Sequence, residues 1–151
     1  MPEAEKLPEE ERGSSDESLY HELCAYTLGH GDPAFLHQHV VDAYAAQHAH
    51  ESGKPIGPVF ALVGLYLHVE RGFTGRQVQR VHMQLGEDHR KWAMPPLPLE
   101  RGAIGVRHVM AAAPGPERDA MIHRWCASVW SVFGDARNQI VELLRRELNF
   151  E

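Results

Sequence analysis

The chain has 151 residues, 43% of them hydrophobic and 24% charged, and a formal net charge of -6. That size and balance fit one globular domain with a core large enough to need no staples. The acidic balance excludes the basic face of a nucleic-acid binder and the polybasic surface of a membrane-contacting protein.

Residues 1–17 read as a disordered acidic leader, since they combine Glu, Pro, Ser and Gly with almost nothing to bury. The remainder, 18–151, reads as one helical domain. A first helix is predicted from near Ser18, capped by Asp16 or Ser15, with Leu19, Leu23, Tyr26 and Thr27 at helical spacing. Gly29 and Gly31 end it. Asp32-Pro33 predicts the next start, a cap followed by proline at the first helical position. That second helix is expected to run to about Glu51, before Pro55 stops it.

The third helix is predicted from Gly57 to Glu70. Its stretch VFALVGLYL is apolar nearly all round, so it is expected at the centre of the core. Gly64 costs such a helix about 1 kcal/mol relative to Ala, and a close approach by another helix would account for it. Gly72 is the expected stop. Thr74 caps a fourth helix, predicted through Trp92. Pro95, Pro96 and Pro98 then force an extended crossover. A short helix at Gly105–Ala113, a long one opened by Pro116 and ending near Gly134, and a last amphipathic one carrying Ile140, Leu143, Leu144 and Leu148 complete the chain. The fold class is therefore all-α, a single-domain helical bundle of about five to seven helices. No long internal repeat and no alternating strand pattern is present.

The two cysteines, Cys24 and Cys126, lack CxxC spacing. They read as free thiols in a reducing cytoplasm rather than a disulfide framework or a zinc site. The N-terminal stretch has no apolar run of the secretory kind. The longest apolar stretch, Pro58 to Val69, falls short of the about 20 residues a bilayer span needs. A cytoplasmic location is expected, with no nucleic-acid or membrane partner.

Histidine occurs eleven times. Helical bundles build metal sites from inward-facing His and carboxylates, and imidazole suits transition metals. The HExxH pattern is absent. His39 and Asp42 share a face of the second helix at i, i+3. His39 and His48, nine apart, are rotated by ~900° and so lie on opposite sides of one straight helix. The alternative is that these histidines are core or surface residues bonded to carbonyls and carboxylates, with His39–Asp42 an ordinary hydrogen bond. Cys24 follows His21, and Cys126 follows His123, at i, i+3. Inert buried thiols are the plainer meaning of both. Phosphate loops and a G-x-S-x-G elbow are missing. Trp125, Trp130 and Phe133 read as core. Glu70 reads as an ion-pair partner for Arg76, Arg80 or Arg101, or else as a site carboxylate.

Three stretches, HQHVVDAYAAQHA at 37–49, LVGLYLHVERG at 62–72 and WCASVWSVF at 125–133, occur in this order. Together they resemble an uncharacterised bacterial family known only as a domain of unknown function. The resemblance covers about Leu19 to Leu144. It implies a helical fold and singles out His39, Asp42, Tyr44, Gln47, His48, Glu70-Arg71-Gly72, Trp125 and Trp130. Some members begin with a Cys-Pro-x-Cys-Gly segment; here an acidic leader stands in its place. Many follow the Gln-His pair with proline; here Ala49 follows, and the helix is expected to run on.

Two functions are carried forward. One is a small binding or interaction protein without catalysis, expected to form a homo-oligomer through apolar helix faces. The other is a metal-binding helical protein or metal-dependent enzyme, with His39, Asp42, His48 and Glu70 as ligands to a transition metal. Convergence of those four side chains separates the two.

Overall fold

A computed structural model of the chain describes residues 9–87 and 91–150, with side chains from residue 15 onward. Among the described residues there are seven α-helices and no strand. They are α1 (Glu9–Leu28), α2 (His37–Gln47), α3 (Ile56–Arg71), α4 (Gly75–Gly86), α5 (Val106–Ala111), α6 (Pro116–Ser131) and α7 (Arg137–Leu148), with a 3₁₀ turn at Gly134–Ala136. This is the all-α bundle the sequence predicts.

The apolar third helix is central, as expected. Leu62, Val63 and Leu67 are wholly buried, and α3 packs against α2, α4, α6 and α7. Its end is fixed by Gly72, whose φ of 71° is the left-handed conformation a helix stop requires. The Gly72 N–H donates to the His68 carbonyl and the Phe73 N–H to the Leu67 carbonyl, at 3.2 and 3.0 Å. Thr74 then opens α4 with a capping box. Its hydroxyl accepts from the Gln77 N–H at 3.2 Å, and the Gln77 side chain accepts from the Thr74 N–H at 2.8 Å.

Four boundaries differ from expectation, each for a local reason. Of the expected leader, residues 1–8 lie outside the described part, and α1 begins at Glu9, ahead of Ser18. Glu and Arg are good helix formers, and no proline follows Pro8 to stop them. Asp16 is thus inside α1, where it pairs with Arg107 of α5 at 3.0 Å. Asp32 caps a turn of its own rather than a helix. Its carboxylate accepts from the N–H groups of Ala34 and Leu36, at 2.9 and 3.1 Å, and Phe35 turns left-handed before α2 begins at His37.

At its other end α2 stops at Gln47, short of Glu51, because Arg101 satisfies its last carbonyls. The Arg101 guanidinium donates to the Ala46 and Gln47 oxygens at 3.0 and 3.4 Å. Finally, α4 ends at Gly86. Residues 88–90 lie outside the described part, and Lys91 and Trp92 already belong to the extended crossover.

The tightest joint is between α2 and α3. Small residues Ala43 and Ala46 on α2 are buried against it. The Asp42 carboxyl occupies the space that a Cβ on residue 64 would need, and Val78 of α4 closes in from the side at 3.1 Å. Gly64 is therefore required by packing, not by backbone angle. Gly64→Ala is expected to destabilise the fold by about 2 kcal/mol or more, since the helices cannot part without opening the core. Urea denaturation measures it. Adding Asp42→Ala should recover part of that loss, a coupling that independent sites would lack.

Candidate functional site

Antiparallel α2 and α3 set the register of the site. Asp42 faces Gly64, so one turn along the joint His39 of α2 faces His68 of α3. The two imidazoles stack, with ring centroids 3.6 Å apart and planes 22° apart. His123 of α6 completes the group. Its Nδ1 lies 2.9 Å from His68 Nε2, and its ring centroid is 6.0 Å from that of His39. His68 Nδ1 is 3.0 Å from the Phe73 carbonyl. A carbonyl only accepts, so Nδ1 carries the His68 proton and Nε2 presents a lone pair.

The three rings line a cleft of about 290 Å³ that is also bounded by Asp32, Phe73 and Asp119. Asp119 is one turn before His123 on α6. Its Oδ1 accepts from the Tyr26 hydroxyl at 2.9 Å, and its Oδ2 is 3.8 Å from His30 Nε2. His39 is 3% exposed. Burial, then the neighbouring His68 and His123, hold its pKa down at about 3. Burial also lowers the pKa of His68. Both rings are neutral around neutral pH. A wider groove, about 370 Å³, runs between the crossover and α7 with Lys91, Trp92 and Arg146 on its walls.

The four residues singled out as ligands have separate partners. His39 is in the cleft. Asp42 is 3% exposed and turned into the α2–α3 joint, where Gln38 Nε2 donates to its Oδ1 at 3.1 Å and its Oδ2 has no hydrogen-bond partner. Burial drives its pKa well above the usual carboxylate range, so the carboxyl is neutral there. The expected His39–Asp42 pairing is replaced by Gln38–Asp42. His48 is exposed and lies on the Tyr44 ring, centroids 4.2 Å apart. Glu70 is an ion-pair residue, but its partner is Arg137 rather than Arg76, Arg80 or Arg101. Arg137 Nη2 and Nε donate to it, the shorter bond at 2.6 Å, and Trp130 Nε1 donates to Oε2 at 2.8 Å. Among the described residues no three His, Cys, Asp or Glu side chains are grouped so as to hold a metal ion by themselves.

The remaining pattern residues pair with one another. Gln47 accepts from Trp125 Nε1 at 2.9 Å and donates to the carbonyls of Ile104 and Arg101 at 2.8 and 3.1 Å. One amide thus ties α2, α6 and the crossover together. Trp130 and Glu70 join α6 to α3 in the same way. Other histidines are also locally occupied: His37 pairs with Thr27 at 2.9 Å, His82 Nε2 with the Phe60 carbonyl at 2.7 Å, and His50 with Ser52 at 2.7 Å. Cys24 and Cys126 are both free, as expected, the second fully buried.

Fold and cleft together define a small all-helical protein with an imidazole-lined cleft at the mouth of its central helix pair. The chain belongs to a family of unknown function, DUF5946, whose model matches residues 9–134. No curated protein and no solved structure matches it. The matched span holds the three cleft histidines and both Gln47–Trp125 partners, whereas Arg137 lies beyond it.

Gln47→Leu leaves an indole N–H and two carbonyls without their partner. Its expected cost is about 2–4 kcal/mol in chemical denaturation. Gln47→Glu keeps the Trp125 acceptor but cannot donate to the carbonyls, and should be intermediate or worse. Asp42 gives a pH signature. Its folded pKa is raised above the unfolded value, so the folded chain binds the extra proton and the contribution to stability is fully present below about pH 4. It is lost as pH rises toward the folded pKa. Asp42→Asn removes this loss. Relative to the native protein the variant should gain stability from pH 5 to pH 8 in urea titrations, and parallel pH profiles would contradict the buried neutral carboxyl.

Proposed function

We propose that this protein is a small ligand-binding protein, with no catalytic step assigned to it, whose ligand seats in the imidazole cleft. The observation that carries this reading is the meeting of His39, His68 and His123 from three separate helices in one concavity. Core histidines need only a carbonyl or carboxylate apiece, as His82 has. His68 has such a carbonyl, that of Phe73, but its other nitrogen meets His123, and the three rings gather on one cleft. A cleft with a few convergent polar groups on a rigid apolar scaffold is the usual form of a small-ligand site.

Asp32 and Asp119 on its walls favour a neutral or cationic ligand over an anion. The separate partners of Asp42, His48 and Glu70 move the weight of a binding role away from the four-residue set and onto this cleft. The acidic net charge supports a role without nucleic acid, and the free cysteines support a cytoplasmic setting. No described helix is long and apolar enough to cross a membrane. Large exposed apolar side chains among the described residues are Leu28, Ile56, Met83 and Leu99, dispersed over four segments. Such dispersal supports a monomer better than an oligomer built on apolar faces.

Imidazole NMR resonances of the ¹⁵N-histidine-labelled chain test the reading. Titration with a panel of small amines, imidazoles and amino acids, and separately with metal salts, should shift His39, His68 and His123 together. Shifts spread over the exposed histidines, or none at all, would remove the cleft from consideration.

A further inference from the structure

We propose that His68 and His123 form the seat of a transition-metal ion of the copper or nickel type, open on the cleft side to water or to a ligand's own donor atoms. This rests on the cleft reading above and gives it a ligand class. It also uses a different residue pair from the four ligands expected on sequence grounds.

His68 is already set up as a ligand. Its Nδ1–H is engaged by the Phe73 carbonyl at 3.0 Å, which fixes both the tautomer and the ring orientation and leaves Nε2 as a lone pair. Ligating imidazoles commonly give their other N–H to a backbone carbonyl in this way. Stacked His39, 3.6 Å away, holds the ring from one face. It acts as a positioning residue and is not itself a ligand.

The partner nitrogen, His123 Nδ1, is 2.9 Å from His68 Nε2. Without a metal, His123 donates its Nδ1–H to His68. With one, the Nδ1–H bond of His123 breaks and an Nε2–H bond forms on the other side of the same ring. The proton count of the pair is unchanged, and His68 Nε2 and His123 Nδ1 then both carry lone pairs that a turn of the exposed His123 ring can direct at one metal ion. Two metal–nitrogen bonds of about 2.0–2.1 Å span about 2.9 Å when they meet at a right angle, and about 3.3 Å when they meet at the tetrahedral angle. The hydrogen-bonded separation of the metal-free pair is nearer the right-angle span, so the tetragonal geometry of Cu(II) and Ni(II) needs the smaller ring movement. Tetrahedral zinc would have to push the rings apart.

The carboxylates on the walls contribute charge rather than bonds. Asp119 is engaged by Tyr26, and both oxygens of Asp32 accept backbone N–H groups. The seat is thus a two-point one, and its other positions exchange.

The test uses the untagged full chain, stripped of metal, titrated separately with CuCl2, NiCl2 and ZnCl2. Calorimetry gives the affinity and electron paramagnetic resonance counts nitrogens on copper. One equivalent of copper with two coupled nitrogens is expected. Its affinity should fall at least about tenfold in His123→Ala and stay unchanged in His50→Ala, a control in an exposed turn. His123 is exposed on α6, so the variant should keep its fold, and His123→Gln provides a second check. Nickel should be held more tightly than zinc. Copper binding indifferent to His123, or zinc preferred over nickel, would overturn the proposal. If organic compounds still shift the three cleft imidazoles while copper ignores His123, the metal assignment falls and the cleft reading stands. If nothing engages the cleft, both fall.

Discussion

The close approach of α2 to α3 governs the rest of this molecule. A residue with no side chain, Gly64, accepts a carboxyl group from the facing helix, and no larger residue could occupy that position without moving one helix. That contact sets the register between the two helices. Register in turn decides which side chains meet one turn further on. His39 and His68 stack because Asp42 and Gly64 interlock. The neutral Asp42 carboxyl shows how strongly the packing is imposed, since an unpartnered polar oxygen in a core is costly and is kept here only as a shape.

Two tryptophan clamps transmit that register outward. Trp125 to Gln47 and Trp130 to Glu70 sit on one helix, α6, and reach back to α2 and α3 respectively. The placement of α6 therefore depends on both members of the central pair at once. His123 is carried on the same helix, and its distance from His68 follows from the clamps. The imidazole group is in this sense the end result of three joints, each built from a different kind of interaction: a steric fit, a carbonyl-satisfying amide and an indole–carboxylate hydrogen bond.

Elements marked by strong local chemistry were legible in the sequence. Gly72 as a stop, Thr74 as a cap, Pro116 as a start and the all-round apolar third helix all stand where their residues predict. The exceptions involve partners distant in sequence. Arg101 ends α2 early from the far side of the crossover, and nothing near Gln47 announces it. Arg137, 67 residues from Glu70, could not be preferred over nearer arginines. Asp32 carries a genuine capping signal, but the hydrogen bonds it makes close a turn instead. The site was half legible. His39 stood out, and the need for a close helix contact at Gly64 was readable, yet His68 and His123 lie on different helices and share no spacing that a linear pattern could expose. A rotation argument from Gly64 to His68, set against Asp42 to His39, would have paired the first two rings. The third required the position of α6.

The three tryptophans of the chain occupy three unlike settings. Trp125 is fully buried with its N–H on a neutral amide, Trp130 donates to a carboxylate paired with arginine, and Trp92 packs edge-on to Phe60 at 5.2 Å in the crossover. Indole emission responds to the polarity and charge around the ring, so each joint of the bundle carries its own optical label. Light emitted by this protein is a composite record of α6 docked on α2, α6 docked on α3, and the crossover laid against the start of the central helix. Loosening the crossover leaves the two α6 colours in place, whereas a shift of α6 alters both of them together.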